Sequence, residues 1–241
     1  MPIAGSEPSV LVIAHRGASA DHRENTIEAF HGAREQGADW VELDVRRSAD
    51  GALVVHHDPV YADGRTVARV AADDRPDHVP LLAEALDACA GMGVNVEIKN
   101  SPGDLGDGVD RDPVVAEAVV ELIAARDGAA GEQPVLVTSF DEPTLAQVRA
   151  ARRRLDTGLL TFDLHADPAA VERAASAGDL AVHPWDPFVD EDFMRRCGQL
   201  GLRVNTWTVD DPERMARLVE LGVHGIITNV PAVAREVLRR G

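Results

Sequence analysis

No apolar run in this sequence approaches the roughly 20 residues that a membrane-spanning helix requires, so no such helix is expected. Cysteine is nearly absent. Cys89 and Cys197 both fall in helix-like segments and need no partner, so a disulfide is not expected and the reducing cytoplasm is the default. The segment Met1–Ser9 has neither a basic nor an apolar stretch, so no secretory signal is expected. Aromatic residues make up only 4% of the chain, and the core must therefore be filled by alanine, valine and leucine. Positive charge is also scarce: the net charge of −17 argues against nucleic acid or an anionic membrane surface as a partner. The scarcest residue is lysine, with Lys99 alone against 23 arginines. A chance survivor is the simplest explanation for one lysine. The alternative is a position that needs a compact, strongly hydrated point charge, which a guanidinium does not supply.

What is present is a regular alternation. Short Val/Ile/Leu runs at 10–14, 40–45, 94–98, 134–138, 158–161, 180–183, 203–208 and 225–228 read as strands. Between them, helix-period segments are expected at 26–36, 81–90, 113–126, 143–153, 168–177, 190–200, 212–221 and 231–239. Prolines open several of these helices, and Gly37, Gly178, Gly201 and Gly222 follow their ends. A ninth run, 52–57, follows residue 45 too closely for a crossover helix. Asp50-Gly51 marks a turn, so this run must return antiparallel to 40–45. Eight parallel βα units remain. The expected fold is α/β, a (β/α)₈ TIM barrel with an antiparallel hairpin strand after the second barrel strand, in one domain spanning 1–241. A doubly wound sheet is less consistent, because no glycine-rich phosphate loop follows the first strand.

In such a barrel the C-terminal strand ends carry the chemistry. Here they read His15-Arg16-Gly17, Glu42-Leu43-Asp44, Glu97-Ile98-Lys99, Thr138-Ser139-Phe140 and Thr206-Trp207-Thr208. Glu42 and Asp44 are two apart in a strand and share a face, while Val41, Leu43 and Val45 face the helices. A two-residue turn at Ala49-Asp50 or at Asp50-Gly51 sets His57 opposite Glu42 or Asp44, so His57 rather than His56 joins the carboxylate face. Three carboxylates at one barrel mouth cannot all stay ionised without a cation among them. Oxygen-only ligation suits one divalent cation, Mg²⁺ or Ca²⁺. Arg16 and Lys99 beside that cation make sense around a bridging phosphate, and His15 and His57 form a candidate acid/base pair. Phe140 and Trp207 read equally well as a pocket wall and as core filling.

The stretches Ile13-Ala14-His15-Arg16-Gly17, Glu24-Asn25-Thr26, Glu42-Leu43-Asp44-Val45, His57-Asp58-Pro59 and Glu97-Ile98-Lys99 together resemble the glycerophosphodiester phosphodiesterase family. Ser139-Phe140-Asp141, Trp207-Thr208-Val209 and the run from Gly222 to Asn229 continue the likeness through nearly the whole chain. The resemblance implies a barrel that hydrolyses glycerophosphodiesters to sn-glycerol 3-phosphate and an alcohol. It implies His15 and His57 as acid and base, Glu42, Asp44 and Glu97 as ligands of one divalent metal, and Arg16 and Lys99 on the phosphate. Glu24 and Asn25 would support the first loop. Asn25 also has a local reading, a capping box with Glu28. The chain departs from the family pattern in a short 60–79 stretch, in Leu81, and in His224 and Asn229 where aspartates are common. These departures are expected to lie outside the metal and acid/base set and to bear on the alcohol. The implied substrate is a small diester, without nucleic acid or stable membrane association, and the chain a monomer or small homo-oligomer. A lysophospholipase D or sphingomyelinase D-like enzyme is the alternative, which the polar 58–79 loop disfavours.

Overall fold

A computed structural model describes residues 10–102, 111–126, 133–151 and 155–240. Met1–Ser9 and Arg153, on which the expected lack of a leader and the end of one helix rest, lie outside the described residues. The parallel strands are β1 (Leu11–His15), β2 (Trp40–Arg47), β4 (Gly93–Ile98), β5 (Val135–Ser139), β6 (Asp156–Thr161), β7 (Ala181–Pro184), β8 (Arg203–Thr206) and β9 (Gly225–Thr228). They pair in the order β1-β9-β8-β7-β6-β5-β4-β2, and the β1–β2 pairing closes the ring. The short β3 (Leu53–Val55) pairs antiparallel with β2, outside that ring. The expected barrel with one appended hairpin strand is therefore the observed architecture.

The helices α1 (Ile27–Glu35), α2 (Leu82–Ala88), α3 (Val115–Arg126) and α4 (Glu142–Ala151) cover the first half of the ring. The second half is covered by α5 (Ala170–Ala177), α6 (Glu191–Leu200), α7 (Pro212–Leu221) and α8 (Pro231–Arg240). Alternation along the strands decides what faces where. Val41, Leu43 and Val45 pack with Phe30, Leu82, Val96 and Val119 in one core layer between barrel and helices. Val12, Leu159, Val182, Val204 and Ile226 pack with Met215 and Leu218 in a second layer. The opposite set of side chains fills the barrel interior, and much of it is polar.

The hairpin differs from expectation. Val45 pairs with Val55, Arg46 with Val54 and Arg47 with Leu53, one residue out of both two-residue registers. The turn has three residues, Ala49-Asp50-Gly51. Ser48 N–H donates to the Ala52 carbonyl at 2.9 Å and Gly51 N–H to the Ser48 carbonyl at 3.0 Å. Gly51 takes φ +91°, the left-handed residue that such a bulged turn needs. The ladder also ends at Val55, so residue pairing does not direct His57. Its position comes from the loop beyond. His56 N–H donates to the Asp44 carbonyl at 3.0 Å, and the buried Arg46 guanidinium holds the His57 carbonyl from Nε at 2.9 Å. The loop then packs on a small core of its own, Val54, Tyr61, Val67, Val70 and Val79.

Below the barrel mouth lies a buried polar layer. Thr138 Oγ1 donates to Asn95 Oδ1 at 3.0 Å, and Asn205 Nδ2 meets His183 Nε2 at 3.0 Å. His183 is wholly buried, and its Nδ1 has no hydrogen-bond partner among the described residues. Burial pushes its imidazole down to about 3. An unfolded chain would bind a proton there near the ordinary value of about 6.5. Stability from a neutral His183 is therefore complete above that value and lost as pH falls toward about 3. The expected outcome in urea unfolding is a loss of up to about 1.4 kcal/mol per pH unit below pH ~6.5. That slope should be shallower in His183→Gln; equal slopes would place the acid sensitivity elsewhere.

Candidate active site

The carboxylates meet where β2 and β4 open at the barrel mouth. Glu42, Asp44 and Glu97 are all buried, and one oxygen from each lies within 4.8 Å of the others. The register explains this: β2 and β4 run parallel with Asp44 beside Glu97, and Glu42 precedes Asp44 by two on the same face. Glu42 Oε1 is buried and accepts no hydrogen bond among the described residues. An acceptor of that kind, in an all-oxygen donor set, fits a hard divalent cation.

Burial raises the Glu42 carboxyl well above the usual carboxylate range, and Asp44 and Glu97 raise it further, against Arg16 and Lys99. Burial pulls Asp44 the same way, but Lys99, Arg16 and His57 and the Asn25 hydrogen bond hold it well below that range. The cluster thus splits into a firmly anionic Asp44 and a Glu42 whose charge needs a cation.

The two basic residues are engaged with the carboxylates. Lys99 Nζ lies 2.6 Å from Glu97 Oε1 and 3.2 Å from Asp44 Oδ1. Arg16 Nε lies 3.2 Å from Asp44 Oδ2, while its NH1 reaches the half-exposed Glu24 at 2.9 Å. Arg16 itself adopts φ +57°, and its N–H donates to the Glu42 carbonyl at 2.9 Å and carboxylate at 3.1 Å. Gly17 follows at φ +85°, where a Cβ would stand 2.6 Å from the Ala29 backbone. Only glycine lets this loop lie so tightly on α1.

Asn25 is not the helix cap. Thr26 caps α1, its side chain accepting from Ala29 N–H. That leaves Asn25, at φ +57°, free to bracket Asp44: Nδ2 donates to Asp44 Oδ2 at 2.7 Å, and Asp44 N–H donates back to Oδ1 at 3.3 Å. Asparagine tolerates the left-handed conformation better than most residues, which suits it to this place.

Both expected histidines reach the same cavity, of about 230 Å³, together with Phe140 and Trp207. His15 Nδ1 lies 2.7 Å from Asn229 Oδ1, and Asn229 Nδ2 donates to Asp210 Oδ2 at 2.6 Å. With Nδ2 committed to Asp210, the amide orientation is fixed and Oδ1 is left to accept from His15. His57 Nδ1 instead faces a carboxylate, Asp58, at 2.8 Å. Burial lowers the His15 pKa, with Arg16 acting the same way, against Asn229 and Asp44. Burial also lowers that of His57, with Asp44 and Asp58 opposing. Asn229 therefore touches the proposed acid/base set, contrary to expectation, whereas His224 accepts from the Val204 amide, well down strand β8. A signal was present: Asn229 directly follows β9, a strand-end position like the others. Trp207 stands edge-on to Phe140 at 5.7 Å, and its indole N–H donates to the His183 carbonyl at 2.8 Å, so it forms both cavity wall and packed floor.

The sequence pattern of the glycerophosphoryl diester phosphodiesterase family matches residues 15–76 and 61–233. A glycerophosphodiester phosphodiesterase of Caldanaerobacter subterraneus subsp. tengcongensis is 31% identical over 251 residues, 96% of this chain and 98% of its own. A glycerophosphodiester phosphodiesterase structure from Thermotoga maritima superposes with TM-score 0.78 at 25% identity over 96% of this chain and 100% of its own. An Oleispira antarctica phosphodiesterase, solved in complex with the product sn-glycerol-3-phosphate, has TM-score 0.84 at 24% identity over 96% and 97%. The chain belongs to the glycerophosphoryl diester phosphodiesterase family and is a phosphoric diester hydrolase.

Proposed function

We propose that this chain hydrolyses glycerophosphodiesters to sn-glycerol 3-phosphate and an alcohol, with one Mg²⁺ or Ca²⁺ held by Glu42, Asp44 and Glu97. The observation that carries this reading is the meeting of those carboxylates with His15, His57, Arg16 and Lys99 around one small cavity. The metal, when bound, would offset negative charge on the phosphate oxygens. Lys99 and Arg16 line the cavity beside the carboxylates, and their positive charge would hold the phosphate. The substrate's own glycerol 2-hydroxyl is the nucleophile favoured by proximity. It would yield a cyclic phosphate that water then opens.

The partners of the two histidines support a division of roles. His15 gives its Nδ1 proton to a neutral amide and is kept uncharged by burial and Arg16, which suits the group that takes the hydroxyl proton. His57 has the Asp58 carboxylate to stabilise an imidazolium, which suits the group that protonates the leaving alcohol. Ring opening then runs with the roles reversed.

Incubation with glycerophosphocholine should release sn-glycerol 3-phosphate and choline, stop with EDTA, and resume on adding a divalent ion. Release of phosphocholine and glycerol would place the cut at the other ester. His15→Ala and His57→Ala should each lower turnover by about 10²-fold or more; near wild-type rates would refute the acid/base scheme. Asn229→Asp sets a charge beside His15 and raises its pKa, so the acidic limb of kcat/KM, set by the need for a neutral base, should move to higher pH. An unmoved limb would separate that limb from His15.

A further inference from the structure

Aromatic side chains are scarce in this chain, with three Trp, five Phe and one Tyr. Their placement is far from random. Phe140 directly follows β5, Phe162 follows β6, Trp185 follows β7 and Trp207 follows β8. Each of four consecutive strand ends thus delivers one ring to the barrel mouth. The carboxylate cluster, with His15, Arg16, His57 and Lys99, lies on the other half, on β1, β2 and β4 and the loops after them.

The rings form a continuous path outward. Phe140 and Trp207 line the cavity. Trp207 lies 6.2 Å from Phe162, and Phe162 stacks on Trp185 at 4.8 Å with planes 6° apart. Phe162 is 56% exposed and Trp185 37%. The other large exposed apolar residues among those described, Val60, Val114 and Leu200, are aliphatic and none belongs to this path. Two stacked rings left in water beside a reactive cavity are a surface awaiting a ligand. Continuity with the cavity means that a group bound on these rings is joined to the group held in the cavity.

We infer that this aromatic half of the mouth is the leaving-group subsite, and that it selects an alcohol bearing a quaternary ammonium. This inference rests on the diester-hydrolase reading above. A trimethylammonium group has no N–H to donate, so ring faces are its best partners, whereas a primary ammonium or a polyhydroxyl group needs hydrogen-bond acceptors or donors that rings lack. The charge agrees. The chain's net charge of −17 favours a cationic head group over an anionic one.

The test compares glycerophosphocholine, glycerophosphoethanolamine and glycerophosphoglycerol in wild type, Phe162→Ala and Trp185→Ala. Choline alone is titrated in parallel by tryptophan fluorescence. The expected result is a wild-type preference for the choline diester, which each variant lowers about 3- to 30-fold in kcat/KM, through KM. Turnover of glycerophosphoglycerol should change less than about twofold, because only the ammonium contact is removed. Choline should perturb wild-type fluorescence saturably and the Phe162→Ala variant far less. Equal loss on all three diesters, or no wild-type preference, overturns the inference. So does a preference that follows the acyl chain when lysophosphatidylcholine is added to the panel. Ring-dependent choline binding without turnover of any diester would overturn the proposed reaction and leave the subsite standing.

Discussion

Three carboxylates sharing a few ångströms of buried space impose the condition that the rest of the site answers. Like charges so close in a poorly solvated interior cannot coexist without compensation. Asp44 is the most heavily compensated, receiving the Asn25 amide, the Arg16 guanidinium and the Lys99 ammonium. Glu42 is left as the strained member, with one oxygen idle and a raised pKa. The loop after β1 follows from this demand. It places Arg16 and Asn25 in the left-handed region, where their backbone and side chains can converge on β2. A donor set held this way suits a hard cation.

The histidines obey a different logic. Neither is held by the β-ladder alone. His15 ends β1, but its ring is oriented across the seam by Asn229 and, behind it, Asp210. His57 lies beyond β3 on a loop with its own apolar core, clamped by Arg46 at its carbonyl. The carboxylates are thus fixed by strand register, and the two histidines by polar partners on neighbouring loops. That division permits pKa adjustment without moving the acidic cluster.

Most of this plan was legible because it rests on alternation. Val41, Leu43 and Val45 declare one face of β2, and Glu42 and Asp44 must take the other, whatever the tertiary details. The barrel followed from counting βα units and from a spacing too short for a helix. What escaped depended on a single backbone geometry. The hairpin register turned on whether Gly51 served a two- or a three-residue turn, and both begin with the same residues. Asn25 and Thr26 are both competent caps, and only the demand of Asp44 for a donor decides between them. Phe162 was passed over for a more correctable reason. It occupies the same place after β6 that Phe140 holds after β5, and only its stacking on Trp185 gives it meaning.

Lys99 is the chain's one lysine, and it lies buried between Asp44 and Glu97. The molecule therefore carries a single side-chain amine, and that amine is in the pocket. For amine-directed reagents the side chains offer one address. Acylation or reductive alkylation of a side chain becomes a report on access to the cavity, read from the mass of the peptide that carries Lys99.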